Sequence, residues 1–234
     1  MPKFSKRFAQ LKTLVNRDTY YEIGEAVKLS KQLANAKFDE TLELHMRLGI
    51  DPRHSDQQVR STVMLPHGTG KTVRVLVFAE GEDARAAQAA GADVVADDEV
   101  IDRILKEGFL DFDATLSTPA MMKKVGKVAR VLGPRGLMPN PKAGTVVEAG
   151  DLERAINEVR AGRVEFRNDK TGNLHVPIGK LSFTEEQLLE NAKAVIEAVE
   201  GVKPSGVKGI YVRRVVLAPT MGPGVRVDLT TINS

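Results

Sequence analysis

The chain has 234 residues, 42% of them apolar and 5% aromatic, with 34 basic residues against 31 acidic ones, a formal net charge of +3. It contains no cysteine, which excludes disulfides, thiolate zinc sites and a cysteine nucleophile and agrees with a reducing compartment. The start, Met1-Pro2-Lys3-Phe4-Ser5-Lys6-Arg7, lacks a signal-peptide apolar core, and no apolar run approaches the ~20 residues of a membrane span. The expectation is a soluble cytoplasmic protein with no membrane partner.

Residues 1–20 are basic and polar, with Leu11, Leu14 and Val15 as the apolar cluster, and suit a short helix or an arm laid on the body. Glu22 to Ala36 carries Ile23, Ala26, Val27, Leu29, Leu33 and Ala34 at helical spacing. An alternating strand follows. Phe38, Leu42, Leu44, Met46 and Leu48 share one parity, with Glu40 as its exception, and Asp39, Thr41, Glu43, His45 and Arg47 share the other. After a loop over residues 49–56, Val59, Val63 and Leu65 begin a second alternation, with Arg60 and Thr62 opposite. Pro66-His67-Gly68-Thr69-Gly70 breaks the chain and suits a hinge.

From Thr72 the pattern changes. Val73 to Ala79 is nearly continuous apolar sequence, as in a strand covered on both faces. A helix over about Asp83–Ala90 closes at Gly91, Val94-Val95 is a short strand, and Asp97 or Asp98 caps a helix through Glu107. Ala114 to Leu116 is a third strand, and Thr118-Pro119 starts another helix with proline at its first position. Asp151 is placed as the cap of a last helix carrying Leu152, Ala155, Ile156 and Val159. Strand alternating with helix implies a Rossmann-like parallel sheet with helices on both faces.

The third region returns to one-sided strands. Val164 and Phe166 alternate with Arg163, Glu165 and Arg167, and a hairpin turn at residues 169–173 leads to a partner strand with Leu174, Val176 and Ile178 inward and His175 outward. Thr184-Glu185-Glu186-Gln187 is a capping box for a helix to about Glu200. The apolar run Ile210 to Leu217 ends in Thr220-Met221-Gly222-Pro223-Gly224, where glycine and proline force a tight turn. Val225 to Val227 is the return strand. That loop is expected to present Thr220, Met221 and backbone amides outward. Between Glu200 and Asp228 there are five bases and no acid, which suits a polyanion; a plain hairpin end fits the same pattern.

The ends share one grammar and the middle has another. Residues 1–67 and 160–234 each carry 11 basic and 8 acidic residues, and residues 68–159 carry 12 and 15. The expected architecture is therefore two domains: an open-faced α+β domain built from residues 1–67 plus 160–234, and an inserted three-layer α/β domain over 68–159.

No catalytic constellation emerges. Gly68-Thr69-Gly70-Lys71-Thr72 resembles part of a phosphate loop, but the required first glycine falls at Leu65 and a strand, not a helix, follows. The turn after the 73–79 strand is acidic and lacks the dinucleotide fingerprint. The four histidines have no metal spacing and no nucleophile elbow is present. The expectation is no enzyme, no cofactor and no metal. Two features fit nucleic acid. Thr41, Glu43, Arg60, Glu165, Arg167 and His175 lie on outward strand faces beside the Thr220-Met221-Gly222 loop, a mixture suited to phosphates, hydroxyls and base edges and equally to a solvated sheet face. Thr115 to Val147 carries six bases and no acid, a local basic edge or a solvated helix and loop.

Several stretches together resemble one family. Phe38-Asp39-Glu40-Thr41, residues 51–57, Leu65 to Lys71, Gly133 to Lys142, Val164 to Gly179 and Thr220 to Gly224 look like the bacterial ribosomal protein L-one family, the mobile-stalk protein of the large subunit, in the right order over nearly the whole chain. The resemblance implies a first domain made of both chain ends that binds large-subunit rRNA, a second domain inserted in it, a part in passing exit-site tRNA, and repression of the protein's own operon mRNA through the same surface. It implies rRNA and mRNA contacts at Lys37, Phe38, Thr41, Glu43, Arg60, Glu165, Arg167, His175, Thr220, Met221 and Gly222. Candidates to face tRNA are Lys123, Lys127, Arg135 and Lys142. Off the ribosome the protein is expected to be monomeric.

Overall fold

The computed structural model describes residues 4–231, with all their side chains except those of Lys142 and Thr231. In chain order the helices are α1 (Lys6–Thr13), α2 (Ile23–Gln32), α3 (Glu82–Ala89), α4 (Asp98–Lys106), α5 (Met122–Leu132), α6 (Leu152–Ala161) and α7 (Glu185–Gly201). The strands are β1 (Thr41–Leu48), β2 (Arg60–Met64), β3 (Val75–Phe78), β4 (Val94–Ala96), β5 (Ala114–Ser117), β6 (Arg163–Arg167), β7 (Asn173–Lys180), β8 (Val212–Pro219) and β9 (Val225–Val227). The chain divides into two compact units. One takes both ends, up to Gly70 and from Val164 onward, and the other is Lys71–Arg163.

The unit made of both ends is α+β. Its main sheet has the order β7-β1-β8-β9, antiparallel throughout. Alternation along β1 buries Leu42, Leu44, Met46 and Leu48 on one face, and α2 and α7 cover that face. Replacing Leu44 by alanine there removes a side chain with no exposed surface and costs about 2–5 kcal/mol. α7 starts at the expected capping box: the Thr184 hydroxyl accepts from Gln187 N at 3.2 Å and the Gln187 side chain accepts from Thr184 N at 3.0 Å. Pro177 lies on β7, an edge strand, where a missing N–H is tolerated.

Two local expectations change. α2 ends at Gln32, not Ala36, because the Ala36 amide turns away to bond the Glu40 carboxylate at 3.1 Å. The turn at 169–173 forms, closed by Asp169 N to Asn173 O at 2.8 Å, but it does not join a two-stranded hairpin. β6 pairs with β2 in a separate sheet, while β7 joins β1. Strand parity shows which side chains face inward but does not name the neighbouring strand.

The inserted unit is the expected parallel, doubly covered sheet, with order β4-β3-β5. Period two splits the apolar run of β3. Leu76 and Phe78 enter a core with Ile101, Ile104, Val125 and Val128 of α4 and α5, and Val75 and Val77 enter one with Ala87, Leu152 and Ile156 of α3 and α6. Asp97 caps α4, accepting from Val100 N at 2.9 Å. Asp151 makes no cap hydrogen bond, because a 3-10 turn over Ala149–Asp151 precedes α6 and the carboxylate lies 3.5 Å from Arg154.

Candidate nucleic-acid interface

The outer face of the four-stranded sheet begins with β1. Burial of its other parity leaves Thr41, Glu43, His45 and Arg47 on the open side. Register fixes their neighbours: His45 lies opposite His175 on β7 and Val216 on β8, and Arg47 opposite Asn173 and Arg214.

The segment before β1 is fastened residue by residue. The Asp39 carboxylate accepts from Ser182 N at 3.2 Å and Ser182 Oγ at 2.8 Å. Thr41 N donates to Thr220 Oγ1 at 3.0 Å, and Thr220 Oγ1 and Thr220 N each donate to Thr41 O at 3.1 Å. Lys180 Nζ donates to Thr41 Oγ1 and to Asp39 O, both at 3.1 Å. Glu40, the parity exception, is 2% exposed. Its carboxylate accepts from Met221 N at 2.8 Å and from Ala36 N at 3.1 Å. Lys37 and Phe38 are left standing out of this frame, Phe38 with 55% of its surface free.

The Thr220–Gly222 loop differs from expectation. Its amides do not point outward: Thr220 N goes to Thr41 O, Met221 N to Glu40, and Gly222 N to Pro219 O at 3.2 Å. The Met221 carbonyl accepts from Arg7 Nη2 of α1 at 2.9 Å. An unpaired amide in so tight a turn is unfavourable, and the fold satisfies each one internally. The loop therefore presents side chains, with Met221 45% exposed beside Phe38's turn. Gly222 also has an internal reason to be glycine, since a Cβ there would lie 2.5 Å from Pro219 Cγ.

Farther along the face an open groove of about 460 Å³ is lined by His45, Arg47, Asn173, His175, Arg213 and Arg214, among others. His45 Nδ1 and His175 Nδ1 are 2.7 Å apart, so one ring carries the proton between them and the other accepts it. Burial, then the neighbouring His175, push the His45 pKa down, against an upward pull from Glu43. Asp169 buttresses the groove's rim. Burial opposes its charge, but hydrogen bonds from Asn173 and Thr171 prevail and hold its carboxyl well below the usual range.

Lys37, Phe38, Thr41, Glu43, His175, Thr220, Met221 and Gly222 thus share the four-stranded sheet and the loops at its end. Arg60, Glu165 and Arg167 stand on the two-stranded sheet instead, where Arg60 and Glu165 form an ion pair. Sequence reasoning missed the groove arginines as a group. Arg213 and Arg214 were visible in the acid-free run, but only register brings Arg47 to them. Glu40 was visible as a charge on the wrong parity.

In the inserted unit, Lys123, Lys127 and Arg130 are exposed along one side of α5, and Arg135 is exposed in the following 3-10 turn. Lys124 turns instead to Glu80 and to Asp98, 3.1 Å away. The Lys142 side chain lies outside the described ones. The Gly68 stretch forms no phosphate loop: the Gly68 carbonyl accepts from buried Asn191 at 3.0 Å and the next regular element is β3. Among the described residues no group of three or more histidines and carboxylates could hold a metal, and no helix is long and apolar enough to cross a membrane.

Comparison with known proteins assigns the chain to the structural, non-enzymatic proteins of the ribosome. It belongs to the ribosomal protein L1p/L10e family, whose sequence model matches residues 29–223. It is 58% identical over 234 residues to large ribosomal subunit protein uL1 of Chloroflexus aggregans, covering 100% of this chain and 99% of that one. Against the protein of the same name from Thermosipho melanesiensis it is 56% identical over 232 residues, 99% of each chain. Against that of Chloroflexus aurantiacus it is 59% identical over 228 residues, 97% of this chain and 96% of that one.

Proposed function

We propose that this protein, a structural component of the large subunit of the cytoplasmic ribosome, binds rRNA through the outer face of the four-stranded sheet. One observation carries the reading. Phe38 and Met221, two exposed apolar side chains, stand with Lys37 at the end of the sheet where β1 begins, on backbone held by a set of hydrogen bonds, and the open face carrying Thr41, Glu43 and His175 runs on from there. A rigid frame with exposed apolar and small polar groups suits RNA recognition by shape and by 2′-hydroxyls, and the adjoining arginine groove supplies phosphate attraction. Arg60, Glu165 and Arg167 extend the contact onto the second sheet.

The division of labour follows the chain. The unit made of both ends, up to Gly70 and from Val164, is the rRNA-binding domain, a few residues off the 67/68 and 159/160 boundaries expected from sequence, and the inserted unit Lys71–Arg163 carries the bases Lys123, Lys127, Arg135 and Lys142 that face exit-site tRNA and assist its release. The same rRNA-binding face takes a similarly folded element of the protein's own operon mRNA and represses its translation.

Titration of Phe38→Ala and Thr220→Ala into a large-subunit rRNA transcript tests the first point. Each is expected to bind about tenfold or more weakly with unchanged circular dichroism. Wild-type affinity in both would overturn the site. For the shared site, rRNA must displace the operon mRNA element in competition.

A further inference from the structure

Glu40 is a buried carboxylate beneath the proposed interface. Among the described residues it takes no cationic partner in an ion pair. Burial of a charge is unfavourable unless donors replace water, and here the donors are two backbone amides from opposite ends of the chain, Ala36 and Met221, at 3.1 and 2.8 Å. Arg7 repeats the link from outside: Nη1 donates to Asn35 Oδ1 at 2.6 Å and Nη2 to Met221 O at 2.9 Å. Residues 35–36 and residue 221 are therefore tied twice, once from the core side and once from α1. The first tie sets the path of the turn bearing Lys37 and Phe38 and holds the Met221 amide, and the second holds the Met221 carbonyl.

We propose that Glu40 is the positioning residue of the RNA-binding face, fixing the spacing between Phe38 and Met221, with Arg7 as the outer half of the clamp. This rests on the rRNA-binding reading above. Glu40 meets no nucleotide in this arrangement. It acts by removing the freedom of two loops before RNA arrives, so that ordering them does not weaken binding. Charge-assisted hydrogen bonds suit the task, being shorter and stronger than neutral ones. A glutamine can accept only through its single carbonyl oxygen and turns an N–H₂ toward the second amide.

The test uses the full chain and a large-subunit rRNA transcript, with Glu40→Gln, Glu40→Ala and Phe38→Ala beside the wild type. Affinity is expected to fall about tenfold or more in Glu40→Ala and by an intermediate factor in Glu40→Gln. The slope of log affinity against log salt should stay at the wild-type value, because no phosphate contact is removed. Hydrogen exchange should quicken at the Met221 and Ala36 amides while amides in α7 and β1 keep their protection. Wild-type affinity in Glu40→Ala with fast exchange at Met221 overturns the proposal, as does a changed salt slope. Should Glu40→Ala fail to fold, Glu40→Gln decides by the same readouts. Wild-type affinity in Phe38→Ala as well would instead locate the failure in the interface reading, and the positioning role would fall with it.

Discussion

His45 and His175 face each other across β1 and β7 with their Nδ1 atoms 2.7 Å apart. The contact requires one ring nitrogen to be free of a proton. Burial and the neighbouring ring hold the His45 pKa below its ordinary value of 6.5. A base that is harder to protonate in the folded chain than in the unfolded one stabilises the fold above the unfolded pKa, and that contribution is lost as pH falls below it. The thermal midpoint should drop as pH goes from 7 to 5, and His45→Gln should flatten the part of the profile below about 6.5. Parallel midpoint curves for the two proteins would contradict this.

The Asp169 turn gives a second pH dependence, in a lower window. Its carboxylate accepts from Thr171 N at 2.7 Å, Thr171 Oγ1 at 2.8 Å and Asn173 N at 2.8 Å. Its pKa is depressed from the ordinary 3.8, so this stabilisation is present above that value and is lost as pH falls through the lower, folded one. Asp169→Ala should destabilise the protein at neutral pH by about 1–2 kcal/mol, allowing for the group's partial exposure. Denaturant unfolding at pH 7 and below 3.8 measures both parts.

Asn191 is fully buried on α7 and serves three backbone groups. Its side chain accepts from His67 N at 3.1 Å and donates to Gly68 O at 3.0 Å and Ile178 O at 2.7 Å. Asn191→Leu keeps the volume and leaves those groups without their partner. The expected loss is about 2–4 kcal/mol of stability by urea unfolding, with local exchange quickening at His67.

Gly222→Val tests whether glycine serves the loop or only the approach of RNA. The added Cβ meets the Pro219 ring inside the turn. Both the thermal midpoint and rRNA affinity should fall, the affinity by about tenfold or more. An unchanged midpoint with lost affinity would mean that the glycine matters only to the ligand.

Much of this was readable from the residues. The capping box of α7, the parity of β1 and the two-sided strand β3 follow directly from local pattern, because each is set by neighbours within a few positions. What could not be read is whatever depends on register between distant strands. His45 opposite His175, Arg47 beside Arg214, and β6 leaving its hairpin for β2 are facts about pairing partners over 100 residues away. Glu40 lies between these cases. Its misfit on the inward parity was visible, and its reason was not, since the amide it holds belongs to residue 221. The outward loop amides were misjudged for the same cause: glycine and proline show that a turn exists but not where its hydrogen bonds go.

The strand order β7-β1-β8-β9 carries a consequence for synthesis. β1, finished by Leu48, has both of its sheet neighbours in the C-terminal segment. As the nascent chain emerges, this apolar strand waits while the whole inserted unit, with its local parallel crossovers, is made and can fold. The face that carries Thr41 closes only once Thr220 is available. The RNA recognition proposed for this face would then need chains that extend past Thr220, and products stopping short of it are expected to compete poorly for the site. The unpaired edges of β1 also mark the early chain as a client for chaperones, or for pairing with another copy, until its own last strands arrive.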